Sequence, residues 1–219
     1  MNPDKKEKAR ELTPAEKRRM DHFREISNKL QKEGYQKHEL TISMVRAQIV
    51  VLIAAIPVFI LLFFLYRWVN PGSQSTAALS VRMEIFQSII FLIALLVLTV
   101  VHELIHGFVW GLFTEHHYND IEFGIIWKYG AAYCTCKLPL KKSQYILGGI
   151  MPLIVLGIIP CIAGIAMGSV LVTFLGGLMT LGAGGDVMIL LQLIRFKTDA
   201  EDVVIYDHPT QGGSVVFTK

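Results

Sequence analysis

Two histidines and a glutamate interrupt "LTVVHELIHGFVWGLF" (98–113), a stretch that is otherwise almost wholly apolar. His102, Glu103 and His106 read H-E-x-x-H. On a helix, residues four apart share a face, so both imidazoles can reach one metal ion. Glu103, beside the first of them, is placed to serve as general base toward a water that the metal activates. Three ionisable residues in five apolar positions are costly to bury, and a bound zinc would offset that cost. The plainer alternative is that the histidines only hydrogen-bond across helices.

A catalytic zinc commonly takes three protein ligands and keeps a fourth position open. The extended metzincin motif would require histidine at position 112, where this chain has Leu112. His116 and His117 lie just past the helix and could bend back, but they read better as interfacial. Asp186 is the favoured third ligand, because it is the only acidic residue in the last long apolar run. His102 and His106 precede Phe113 by eleven and seven residues, and Asp186 precedes Phe196 by ten. With about 1.5 Å of rise per residue, all three would sit at similar depth, roughly 10–16 Å from the same ends of their helices. Upstream of Asp186, "GGLMTLGAGGD" repeats small residues at Gly176, Thr180 and Gly184. That spacing lets membrane helices pack backbone to backbone, as a metal site shared between two helices would require.

The elements that must carry these residues follow from hydropathy. The chain has 219 residues, is 53% hydrophobic and has a mean hydropathy of +0.47. The apolar residues fall into four runs, Val45 to Val69, Ile85 to Phe113, Tyr145 to Met167 and Ser169 to Phe196. Each is long enough for the roughly 20 residues that a hydrocarbon core of about 30 Å demands. Four transmembrane helices are predicted. The first begins behind a charged segment and reads as a span rather than a cleavable signal.

Charge distribution sets the orientation. Of 21 Lys and Arg residues, twelve lie at or before Arg46, four (Lys128, Lys137, Lys141, Lys142) lie between the second and third runs, and Arg195, Lys197 and Lys219 follow the fourth. Arg67 and Arg82 alone fall on the other side. The positive-inside rule then puts both termini and the 114–145 connection in the cytoplasm of a multi-pass cell-membrane protein. Nothing points to nucleic acid: there is no phosphate-binding glycine loop, internal repeat or basic aromatic patch.

Three smaller features complete the reading. "LTPAEKRRMDHFREISNKLQKEGY" predicts an amphipathic helix, with Thr13 as N-cap, Pro14 in the first turn, Glu16 closing a capping box and Gly34 as the stop. Met20, Phe23, Ile26 and Leu30 form its apolar face, suited either to the membrane surface or to packing on its own protein. "DIEFGIIWKYGAAYCTCKLPL" predicts a β-hairpin about Tyr129-Gly130, apolar enough to lie at the membrane surface. Cys134 and Cys136 read as strand residues facing the same way, and with Cys161 as free thiols. The tail "DVVIYDHPTQGGSVVFTK" reads as extended pieces broken at Pro209 and Gly212-Gly213, with His208 a solvated residue or a cap over the site. The expected division is 1–43, an N-terminal cytoplasmic segment; 44–196, a four-helix membrane domain; and 197–219, a cytoplasmic tail.

The pattern resembles known proteins. H-E-x-x-H in a membrane helix, a hairpin-like loop and a later helix with Gly185-Asp186 are similar to site-2-protease-type intramembrane metalloproteases. More closely, "VHELIHG", "KLPLKKSQYILGGIMP", "GAGGDVMILL" and the "DHP" of the tail resemble the small bacterial membrane family of putative zincin peptidases. The resemblance implies zinc held by His102, His106 and Asp186, with Glu103 as catalytic base. The Asn-and-Pro element that site-2 proteases carry before their ligand aspartate is absent here.

The expected function is therefore a zinc-dependent membrane peptidase acting on membrane-embedded or membrane-associated peptides near the cytoplasmic leaflet. The main alternative is a non-catalytic metal-binding membrane regulator, against which the intact Glu103 counts. A membrane di-iron enzyme fits poorly, because only seven histidines are present and His22 and His38 lie in the N-terminal segment. Substrate identity and oligomeric state are not readable from the chain.

Overall fold

The computed structural model describes residues 13–72, 81–126 and 130–219, without side-chain detail for 81–86 and 131. The Tyr129 half of the expected hairpin turn, and residues 73–80 of the connection between the first two apolar runs, lie outside the described residues.

Apolar content builds the bundle. Helix α2 (Met44–Val69) and helix α3 (Val81–Gly111) match the first two runs. The third run, Lys142–Ala166, is continuous but uneven: helix α4 (Lys142–Pro152), a π-helical stretch (Leu153–Ile158) and helix α5 (Ile159–Ala166). These three segments are long and apolar enough to cross a membrane. The fourth run, expected as one helix, is a bent pair that together is also long and apolar enough. It is helix α6 (Val170–Gly182) and helix α7 (Gly184–Arg195), bent by 46° at Ala183. Gly182, Gly184 and Gly185 crowd that point, and glycine weakens a helix interior by about 1 kcal/mol each relative to alanine.

The glycines ahead of Asp186 do pack closely, but on other partners than expected. A Cβ at Gly176 would lie 2.7 Å from the Cys161 nitrogen of α5, one at Gly177 2.8 Å from Leu62 of α2, and one at Gly184 2.4 Å from Val51 of α2. They seat α6 and α7 against α5 and α2, not against the histidine helix. Tertiary packing, invisible to a spacing argument, chose the partner.

The predicted hairpin is present as strand β2 (Ile121–Ile126) and strand β3 (Ala131–Cys136), paired antiparallel. It lies against α3: a Cβ at Gly107 would meet the Phe123 ring at 2.5 Å, so this glycine lets the strand approach. Beyond it, the chain ends are more ordered than a tail reading suggests. Strand β1 (Gln36–Ile42), not anticipated, pairs with strand β6 (Gly212–Thr218), which pairs with strand β5 (Val203–Asp207), which pairs with strand β4 (Leu140–Lys141). All pairs are antiparallel. The extended pieces of the tail are thus the middle strands of a sheet that joins both ends of the chain.

Strand alternation gives this sheet two apolar faces. Ile205 and Val216, fully buried, pack with Leu140, Tyr145, Leu190, Leu193 and Trp110 against the end of the bundle. Tyr206, Val215 and Phe217 face the other way and are covered by helix α1 (Pro14–Lys32) through Phe23, with Met20, Ile26 and Leu30 around it. The predicted apolar face therefore packs on the protein's own sheet. The capping box forms as expected: the Thr13 backbone N–H donates to Glu16 at 2.9 Å, and the Glu16 backbone N–H to the Thr13 hydroxyl at 3.3 Å. Burying a phenylalanine such as Phe23 contributes about 1.5–3 kcal/mol, which fixes α1 over the sheet.

Candidate metal centre

The H-E-x-x-H turn lies near the sheet-bearing end of α3, where the helix has two unlike faces. Leu104, Phe108 and Leu112 point outward and are half exposed, while His102, His106, Val109 and Trp110 are buried. The helical period alone puts both histidines on the inner side. Asp186 reaches them from the first turn of α7, where a carboxylate also suits the helix dipole.

The three expected ligand residues converge. His102 Nε2 lies 3.1 Å from Asp186 Oδ2 and 3.2 Å from His106 Nε2, and His106 Nε2 lies 3.5 Å from the same carboxylate oxygen. Their ligating atoms all fall within 4.8 Å of one another. A tetrahedral zinc with bonds of about 2.0–2.1 Å would set its ligand atoms about 3.3 Å apart, so the spacing fits.

The hydrogen inventory points the same way. His106 Nδ1 sits 2.9 Å from the Gly148 carbonyl, which can only accept, so Nδ1 carries the proton. In a neutral ring, His106 Nε2 then presents a lone pair toward His102 Nε2 and the Asp186 carboxylate. With His102 in the tautomer that leaves its Nε2 bare, three electron-rich atoms would meet in this recess, an arrangement that a cation would complete.

Gly148 has a second part in this arrangement. A Cβ there would fall 2.1 Å from the Trp110 indole nitrogen, so the bare backbone lets Trp110 lie flat on α4. The indole stacks on His106 (centroids 5.0 Å, 18°) and on Tyr145 (5.4 Å, 22°), and it donates to the Tyr145 carbonyl at 3.2 Å. Gly148, Trp110 and Tyr145 were not identifiable in advance, because in an apolar helix they look like ordinary packing residues.

Glu103, next to His102 but about 100° around the helix, is not in the three-residue cluster. Its carboxylate faces β3, where the Cys134 backbone reaches it. His102, Glu103, His106 and Asp186 all line one cavity of about 960 Å3. Val51, Leu52 and Phe59 of α2 form an apolar wall of it, and Tyr133, Cys134 and Thr135 of β3 another.

Other candidates separate from the site. His116 and His117 are exposed in the turn after α3, where His117 Nδ1 bonds back to the Gly111 carbonyl at 3.0 Å. His208 lines the cavity but serves its own turn: its Nδ1 accepts the backbone N–H groups of Thr210 at 3.3 Å and Gln211 at 3.0 Å. Cys134 and Cys136 are free, with burial pushing the Cys136 thiol up to about 12 and the Cys134 thiol higher still. Neutral thiols are poor metal ligands, in keeping with strand residues that pack.

No curated protein and no solved structure matches the chain. Residues 95–200 match the model of a family described as "Putative zincin peptidase", a name that implies zinc and peptide hydrolysis. That segment carries His102, Glu103, His106 and Asp186, and over it the chain is similar to the putative zincin peptidase family.

Proposed function

We propose that the protein is a zinc-dependent integral-membrane peptidase that hydrolyses membrane-embedded or membrane-associated peptides near the cytoplasmic leaflet. The observation that carries this reading is the convergence of His102, His106 and Asp186 at tetrahedral spacing, with Glu103 opening onto the same cavity. Zinc bound there would supply Lewis-acid polarisation of the scissile carbonyl and of the attacking water. Glu103 takes the proton from that water and returns it to the leaving amine, which completes hydrolysis of the C–N bond. His106, fixed by the Gly148 carbonyl and the Trp110 face, keeps its Nε2 turned to the site throughout.

The surrounding elements suggest the substrate. α2 packs on α5, α6 and α7, whereas α3 packs on α4 and the hairpin, and the cavity has walls from both. A membrane segment arriving between α2 and α3 would meet an apolar wall first and the polar site behind it. A helix hides its carbonyls, so the segment must extend locally to be cut. Ala132 to Thr135 of β3 line the cavity, and an extended peptide laid along them would pair as an added strand. The basic residues near the sheet-bearing end favour a cytoplasmic position for that end and both termini. In this reading 44–196 carries the chemistry within the cell membrane, and 1–43 and 197–219 flank it on the cytoplasmic side.

The test begins with metal content of the detergent-purified chain, then follows cleavage of single-span peptides in liposomes. The native protein and Glu103→Gln are expected to carry about one zinc each, with only the native protein cutting. Metal retained together with no cleavage of any peptide would favour a metal-binding regulator instead. A native chain free of metal would remove the basis for either.

A further inference from the structure

Asp207 stands outside the residues matched to the family, at the end of β5, and no step above uses it. Its two oxygens have separate partners. Oδ1 accepts the Tyr145 hydroxyl at 2.6 Å, and Oδ2 accepts the Cys136 backbone N–H at 3.4 Å, with the Thr135 side chain as a further partner. One carboxylate thus ties β5, β3 and α4 together beside the cavity.

The tie continues toward the metal centre without a gap. Tyr145 stacks on Trp110, Trp110 stacks on His106, and His106 points Nε2 at His102 and Asp186. Rotation of the Tyr145 ring out of this stack would strip one face of the indole and leave it its N–H bond to the Tyr145 carbonyl. The imidazole would then keep its polar contacts to Gly148, His102 and Asp186 but lose the ring face that fixes its plane.

We infer that Asp207 is a positioning residue for the metal centre: by holding the Tyr145 hydroxyl it fixes the aromatic stack that orients His106. The inference rests on the metal-site reading above, and assigns part of that site to the C-terminal strand. Contacts around metal-binding histidines typically change affinity by about 10–100-fold when removed.

The test is titration of the full-length, detergent-solubilised chain with Co2+, whose visible absorption bands report ligand geometry. Native protein is compared with Asp207→Ala, Asp207→Asn, Tyr145→Phe and the Asp207→Ala/Tyr145→Phe double variant. Asp207→Ala is expected to bind Co2+ about 10-fold more weakly, with altered bands. Asp207→Asn still offers an acceptor to Tyr145 and is expected to stay close to native. Tyr145→Phe removes the other end of the same link and is expected to weaken binding too. The double variant is then no weaker than the weaker of the two single variants, because both cut one link.

Thermal unfolding of the metal-free proteins identifies any variant that fails to fold. If Asp207→Ala is one, Tyr145→Phe against Asp207→Asn carries the comparison. Native-like affinity and bands in folded Asp207→Ala or Tyr145→Phe overturn the inference, as does full additivity in the double variant. A native chain that takes up no Co2+ overturns the metal-site reading itself, a separate result from a native chain that binds while its variants are unaffected.

Discussion

Asp186 and Asp207 are carboxylates on the same cavity, and they differ in what surrounds them. Asp207 meets neutral donors: a tyrosine hydroxyl, a threonine side chain and a backbone N–H. Asp186 meets two imidazole nitrogens, one of which has its proton on the far side of the ring. The first carboxylate has a complete set of partners within the protein. The second sits with two imidazole nitrogens in a group that could hold a metal ion. A recessed acidic group is therefore informative less for its burial than for the balance of donors around it.

That contrast can be broken most severely at Asp186. Asp186→Ala is expected to lower zinc affinity by more than the roughly 100-fold typical of outer contacts, measured by competition with a chromogenic chelator. Asp207→Asn should leave it near native. Equal losses in the two variants would show that the surroundings of the carboxylates do not differ as described.

Next in size is Glu103→Gln, which shares the cavity with both carboxylates. It is expected to keep zinc while slowing peptide cleavage by about 10²–10⁴-fold, the usual contribution of a positioned general base. Zinc analysis and cleavage assays on one preparation separate the two effects. Loss of zinc in this variant would make Glu103 a ligand.

Gly148→Ala probes the ground between the two sites. The new methyl would press into the Trp110 indole, and overpacking of this kind costs about 1–3 kcal/mol. A lower unfolding temperature together with weaker zinc binding is expected. An unchanged protein would mean that the stack moves freely.

The smallest effect concerns pH. Burial raises the Asp207 carboxyl above its ordinary range, against the pull of Tyr145, Thr135 and Cys136. A group whose folded value is raised favours folding fully below its unfolded value, about 3.9, and loses that contribution as pH rises through the folded one. Native stability should thus fall relative to Asp207→Asn as pH rises above about 4 through the raised titration of this carboxyl. Thermal melts across that range check the sign, and a rise would reverse it.

Much of this molecule is legible in the chain, and the readable parts share a property. The capping box at Thr13, the apolar face of α1, the spans and the hairpin each depend on residues close in sequence. H-E-x-x-H is of the same kind, since a helix alone aligns His102 with His106. Asp186 stood out because an acidic residue in a long apolar run is conspicuous. The four-stranded sheet did not, because Gln36 pairs with Thr218 and nothing local in either strand names the other. Trp110, Tyr145 and Gly148 stayed hidden among similar apolar neighbours, and the glycines ahead of Asp186 gave their close packing but not their partners.

The sequence by itself determined the apolar spans, the capped helix and the face on which two histidines and a glutamate lie, because short-range periodicity and hydropathy act within one segment. Only the tertiary structure decided that Asp186 meets those histidines, that Gly148 fixes the proton of His106, and that the last span bends at Ala183. It also decided that α1 covers a sheet made from both chain ends rather than lying free. Each of those outcomes depends on contacts between residues far apart in the chain, whose free energy exists only once the segments have packed.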